Sequence, residues 1–215
     1  IALLVGLLTG AAGSLFQIVI HTSGVWLSKL GGSLGMLGVP GWVSFPILTM
    51  LMVLAAWFLV NRVAPEAAGS GVQEIEGALM HKRLVRFKRV LPVKFIGGVL
   101  SIASNMVLGR EGPTIQIGGN LGKALGRMTS LSQKRCDALV AAGAAAGLAT
   151  AFNAPLAGVL FVMEEMRESF SLSFIQFKTV AISCVAATIV LQWMMGGAPV
   201  ILMNVFDMPS LSSLW

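Results

Sequence analysis

Five apolar stretches, residues 1–20, 42–60, 92–108, 138–163 and 172–195, run through this chain. Each approaches or exceeds the roughly 20 residues needed to cross hydrocarbon as a helix. Within a bilayer every backbone polar group must find its partner inside the protein, so stretches of this length read as helices. Composition supports the same class. Hydrophobic residues make up 56% of the chain and charged residues 11%, and the mean hydropathy is +0.85, far from the averages of soluble domains. The sequence therefore predicts an all-α, polytopic integral membrane protein.

The helices are not simple rods. Twenty-five glycines point to close helix contacts and interrupted helices, and Gly118, Gly122 and Gly126 form a contact stripe at four-residue spacing. Two breaks stand out. Gly109-Arg110-Glu111-Gly112-Pro113 follows the apolar run 95–108, and Phe152-Asn153-Ala154-Pro155 divides 138–163 into the halves of a short hairpin. Irregular backbone at membrane depth is tolerated where it is buried in protein or lines a cavity. An ionised side chain there costs roughly 2.5–3.5 kcal/mol on insertion scales. Arg110 and Glu111 are thus candidate functional residues, and a charged break inside a membrane helix points to transport.

Basic residues orient the chain. His81 to Arg89 carries Lys82, Arg83, Arg86, Lys88 and Arg89; Lys123, Arg127, Lys134 and Arg135 form a second cluster, and Arg167 with Lys178 a weaker third. Residues 23–41, read as a loop, hold only Lys29, and 196–215 hold no Lys or Arg. The positive-inside rule puts the three clusters in the cytoplasm and the other two segments outside. Trp26, Trp42, Trp193 and Trp215 then fall near the outer interface, where amphipathic rings anchor. The path crosses out and back, dips twice from the basic side, forms a hairpin and crosses outward again. An odd number of crossings means that a second copy would be inverted.

Three motifs carry chemistry. Ser70, in Gly69-Ser70-Gly71-Val72-Gln73, is placed as the N-cap of a short helix with Gln73 completing a capping box. This can be an ordinary capped interfacial helix, or the flanking glycines can bring the Ser70 hydroxyl and free backbone amides close to an ion. The positive end of a helix would make that ion an anion. In the second motif Pro113 is placed at the first helical position, where its missing N–H is no loss. Glu111 then lies just ahead of the helix, its carboxylate imitating a bound anion until a proton neutralises it. The alternative is a structural Glu–Arg pair closing a turn. The third motif, Phe161-Val162-Met163-Glu164-Glu165-Met166-Arg167, ends the hairpin on the basic side. Its adjacent glutamates point about 100° apart on a helix, so one can face the protein as a proton stop; these residues leave open which.

The strings GSGVQEIEGAL (69–79), GREGPTIQIGGNLG (109–122) and GAAAGLATAFNAPLAGVLFVMEEMR (143–167) resemble the CLC chloride channel and transporter family. Residues 63–67 and 89–95 add supporting matches, and the resemblance covers essentially the whole chain. It implies broken and re-entrant helices in an inverted-repeat architecture, residues 1–215 forming a single transmembrane domain that is the first of two repeats. It further implies a homodimer in a bacterial inner membrane that exchanges chloride for protons, with a passive, voltage- or proton-gated channel of the same fold as the alternative. Carried over by position, Gly69, Ser70 and Gly71 line a central anion site, Gly109, Arg110 and Glu111 an outer one, Glu111 gates, and Glu165 is the internal proton residue. Chloride is then the bound substrate, with no cofactor. Gln73 departs from the family pattern, which has proline there. The chain has no tyrosine, so the family's central-site tyrosine and the amides of its second half must come from elsewhere.

Other readings carry less. The net charge of +6 sits in loops between apolar stretches and is no nucleic-acid signal. Cys136, read in a basic loop, and Cys184, in an apolar helix, are free thiols in this reading. His21 and His81 are too isolated for a metal site, and no nucleophile–base pair supports an enzyme. The sequence begins without Met inside an apolar stretch, and it is expected to be a piece of a larger protein.

Overall fold

A computed structural model describes residues 1–36, 38–167 and 173–197. Eight α-helices follow in order among them: α1 (Ala2–Met36), α2 (Gly41–Val63), α3 (Val72–Leu79), α4 (Phe87–Ala103), α5 (Glu111–Met128), α6 (Gln133–Phe152), α7 (Pro155–Glu164) and α8 (Phe174–Met195), with a 3-10 turn at Pro65–Ala67. Helices α1, α2, α6 and α8 are long and apolar enough to cross a membrane. The chain is a multi-pass integral membrane protein. Trp215 and most of the segment 196–215 lie outside the described residues, as does Leu172.

Helix α6 is the centre. Its residues from Cys136 to Ala151 are buried without interruption, although they are mostly Ala and Gly and offer little side chain to bury. Small residues let backbones approach closely, which is how membrane helices gain packing without a hydrophobic drive. The predicted stripe on α5 meets α6 in this way. A Cβ on Gly118 would enter the Gly143 carbonyl, one on Gly122 the Leu139 carbonyl, and one on Gly126 would press on the Cys136 sulfur. From the other side, Gly143 faces the Gly118 carbonyl and Gly147 that of Thr114. Helix α1 packs in the same manner on α8, with Gly6 against Ser183 and Gly10 against Ala187.

Several boundaries differ from the sequence expectation. Residues 23–36 are not a loop: α1 continues through them to 35 residues, about 52 Å at 1.5 Å per residue. Ser28 and Ser33 donate their hydroxyls to Val25 and Leu30 carbonyls of the same helix, so these polar residues return hydrogen bonds to the helix instead of breaking it. The apolar stretch 92–108 is not one helix either, because α4 stops at Ala103 and Asn105 turns left-handed with φ 62°. Cys136 lies in α6, where it is buried, and not in a loop; both cysteines are free and buried. The hairpin is as expected: Asn153 caps α6 in the left-handed conformation and Pro155 opens α7. His81 Nε2 stands 3.4 Å from Asp137 Oδ2, which brings the end of α3 and the start of α6 to one side and unites the first two basic clusters there.

Candidate functional site

Two helix starts meet at the site. The segment before α3 is bent by Gly69 (φ 67°) and Gly71 (φ 90°), a left-handed geometry that side chains disfavour and glycine accepts. A Cβ on Gly112 would stand 2.5 Å from the Ser70 carbonyl. Glycine at 112 is thus what lets the first turn of α5 touch the loop that holds Ser70. Gln116 secures the same junction, donating to the Glu66 carbonyl at 2.8 Å while its side chain fills the space beside Gly71.

The caps fall one or two residues from their predicted places. Gly71, not Ser70, is the N-cap of α3. The Ser70 hydroxyl accepts from Val72 N–H at 3.3 Å and donates to Gln73 Oε1 at 3.4 Å, so the capping box is not formed. The reason is local: a left-handed Gly71 starts the helix later and turns Ser70 outward, where it is exposed along the groove wall. On α5 the N-cap is Arg110 and Glu111 is the first helical residue. Pro113 is therefore third, still within the first turn, whose N–H groups have no partner in the helix. The Thr114 hydroxyl contacts the carbonyls of Arg110 and Glu111 at 3.1 and 2.9 Å and braces the break.

Glu111 does not pair with Arg110. Its carboxylate folds back over Gly109, occupying the place where a Cβ there would stand. Arg110 instead donates from Nη1 to Gln17 Oε1 at 2.9 Å, on α1. Glu111 lies between two cavities. One, of about 960 Å³, is lined by Gly69, Ser70, Lys94, Gly112 and Phe161 among others. The other, of about 440 Å³, is lined by Gln17, His21, Arg110 and Phe152. Glu111, Gly109, Leu108 and Ile102 border both. A carboxylate at the amino end of α5 thus stands where the two spaces adjoin, held by the end of a helix that favours negative charge.

Gly69, Ser70, Gly71, Gly109, Arg110 and Glu111 are brought together by these contacts. Glu165 is not among the residues lining either cavity. It follows the end of α7 and is exposed, as is Glu164. Glu165 does reach the surroundings of Glu76, on the short α3 outside the four spanning helices. Burial, with the charge of Glu165 adding to it, raises the Glu76 carboxyl above its ordinary range.

Lys94 escaped the sequence reading. It is 5% exposed, lines the larger cavity and donates from Nζ to the carbonyls of Ala67 at 3.0 Å and Gly69 at 2.7 Å. The ammonium satisfies these two carbonyls and so ties α4 to the segment that carries Ser70. The available signal was a single lysine within the apolar run 90–100. Replacing it, Lys94→Met, leaves both carbonyls without a donor. We expect a loss of about 1–3 kcal/mol, seen as a lower melting temperature of the full-length protein in detergent.

A polytopic membrane protein whose broken helices converge on a largely apolar, glycine-bounded groove that holds a few polar groups, Ser70, Lys94 and Glu111, has the build of an ion-transport protein. Residues 52–215 match the family model described as voltage gated chloride channel, and the chain belongs to this CLC family. It is 46% identical over 223 residues to the H(+)/Cl(-) exchange transporter ClcA of Vibrio parahaemolyticus, covering 100% of this chain and 46% of that protein. The ClcA of Vibrio cholerae is likewise 46% identical, over 219 residues. Among solved structures, a slow cyanobacterial Cl-/H+ antiporter superposes with a TM-score of 0.87 at 39% identity, covering 100% of this chain and 50% of that one. A eukaryotic CLC transporter shares the fold at a TM-score of 0.75 and 24% identity. The chain spans about half the length of the relatives it matches.

Proposed function

We propose that this chain forms the first of two inverted repeats of a transporter that moves chloride across a bacterial inner membrane in exchange for protons. Residues 1–215 act in this reading as one transmembrane domain, and the complete protein works as a homodimer without cofactor or metal and is not an enzyme. The observation that carries the proposal is the Glu111 carboxylate, which stands at the amino end of α5 between two cavities and is free of Arg110. Ionised, it occupies the place of an anion; protonated, it yields that place, so one site couples the two ions by competition. Gly69, Ser70 and Gly71 supply the inner anion contacts, Gly109 and Arg110 the outer ones, and Glu165 passes protons from the cytoplasmic side. The names of relatives 46% identical over the whole chain support exchange over passive conduction.

The test is coupled flux from the full-length protein in liposomes. A chloride gradient is imposed without a proton gradient, and external pH is followed. We expect uphill proton movement in the wild type and its loss in Glu165→Ala. Chloride flux with no proton movement in the wild type would make the protein a channel, and no anion flux would end the transport reading.

A further inference from the structure

We propose that Gln17 is the positioning residue of the outer gate: it holds Arg110 away from Glu111 and ties it to the junction of α1 and α6. The inference rests on the reading of Glu111 as the gate. Gln17 is 6% exposed, and both ends of its amide are used. Oε1 accepts from Arg110 Nη1 at 2.9 Å, and Nε2 donates to the Thr150 carbonyl at 2.9 Å, just ahead of the turn that starts α7. The polarity is matched at both ends, which fixes the amide's orientation.

A neutral partner matters here. Arg110 and Glu111 are neighbours in sequence and line the same outer cavity, yet the ion pairs among the described residues are His81–Asp137, Arg83–Glu74 and Arg86–Glu66. The guanidinium is directed to α1 while the carboxylate folds back over Gly109. Because glutamine positions Arg110 without cancelling its charge, the cation stays available to an anion in the outer cavity and does not lock Glu111 in its ionised form. The other titratable groups facing Glu111 are His21 in the outer cavity and Lys94 in the inner one, whereas the hydrogen bonds of the Gln17 amide go to Arg110 and Thr150.

Two variants of the full-length protein separate position from charge. Gln17→Leu keeps much of the volume and removes both bonds, so Arg110 is freed to pair with Glu111. A cation that close lowers a carboxylate pKa by about one unit or more, and the pH of half-maximal turnover in liposomes is expected to move acid by that amount. Gln17→Glu keeps Arg110 anchored but cancels its charge; the chloride KM is expected to rise several-fold with no acid shift. The second variant preserves size and the Arg110 bond, so it carries the test if the first does not fold. Wild-type KM and pH midpoint in every variant that folds, whatever the melting temperatures, would overturn the proposal and leave Gln17 a packing residue. Glu111→Ala, run in parallel, keeps the two readings apart. Proton pumping that survives in Glu111→Ala defeats the gate itself, whereas pumping lost there with unaltered Gln17 variants defeats only this inference.

Discussion

Glu111→Gln is expected to reduce proton movement to the level of empty liposomes while chloride continues to pass. The glutamine is nearly the same shape but neither ionises nor carries a titratable proton, so it mimics Glu111 held permanently in its protonated form. The amino end of α5 still attracts negative charge, and without the native carboxylate to compete, an anion takes the position. Chloride flux should then lose its dependence on pH. Glu111→Ala goes further, because it removes the group that separates the cavities of about 960 and 440 Å³, and passive anion flux is expected to exceed that of the glutamine variant. Parallel records from a chloride electrode and a pH electrode on the same liposomes make the comparison. Proton flux that persists in both variants would show that protons travel by a route that does not include Glu111.

The second large effect is structural. Gly143→Val and Gly118→Val are expected to destabilise the protein by about 3 kcal/mol or more, the upper range for overpacking, and to lower sharply the yield of monodisperse protein on size exclusion. In each case the added carbon meets a backbone carbonyl of the facing helix, which cannot rotate away as a side chain could. The helices must separate instead, and α5 carries Glu111 as its first residue, so any variant that survives should also show altered coupling. Gly32→Val is the control. Nothing lies within 4 Å of a Cβ there, and the variant should purify like the wild type.

What the sequence revealed follows from the range of the interactions involved. Apolar length marked α1, α2, α6, α7 and α8; glycine spacing marked the α5 stripe; and Asn153 with Pro155 marked the hairpin, since each of these is a local property. The Ser70 cap was misplaced because the choice between Ser70 and Gly71 depends on a left-handed turn that Gln116, 45 residues further on, packs against. Residues 23–41 were read as the loop between two apolar stretches, but in an apolar setting continuing the helix through 36 is the cheapest way to satisfy the backbone. Arg110 and Lys94 find their partners 93 and 25–27 residues away, a distance over which no spacing rule operates. The residues around Glu111 were legible, whereas Gln17 and Lys94, which fix Arg110 and the Ser70 segment, were not.

The seam between α1 and α8 has a further consequence, for biosynthesis. The Ser183 hydroxyl donates to the Ala2 carbonyl across 181 residues of sequence, and Gly6 and Gly10 lie against the same stretch of α8. A ribosome adding roughly 5–20 residues per second completes α8 about ten to forty seconds after α1 has emerged. Throughout that interval the small-residue face of α1 must be covered by lipid or by the insertion machinery. Burial of this face of α1 is therefore paced by α8, and a stall in translation before α8 would leave α1 in the membrane without the neighbour its glycines are shaped to receive.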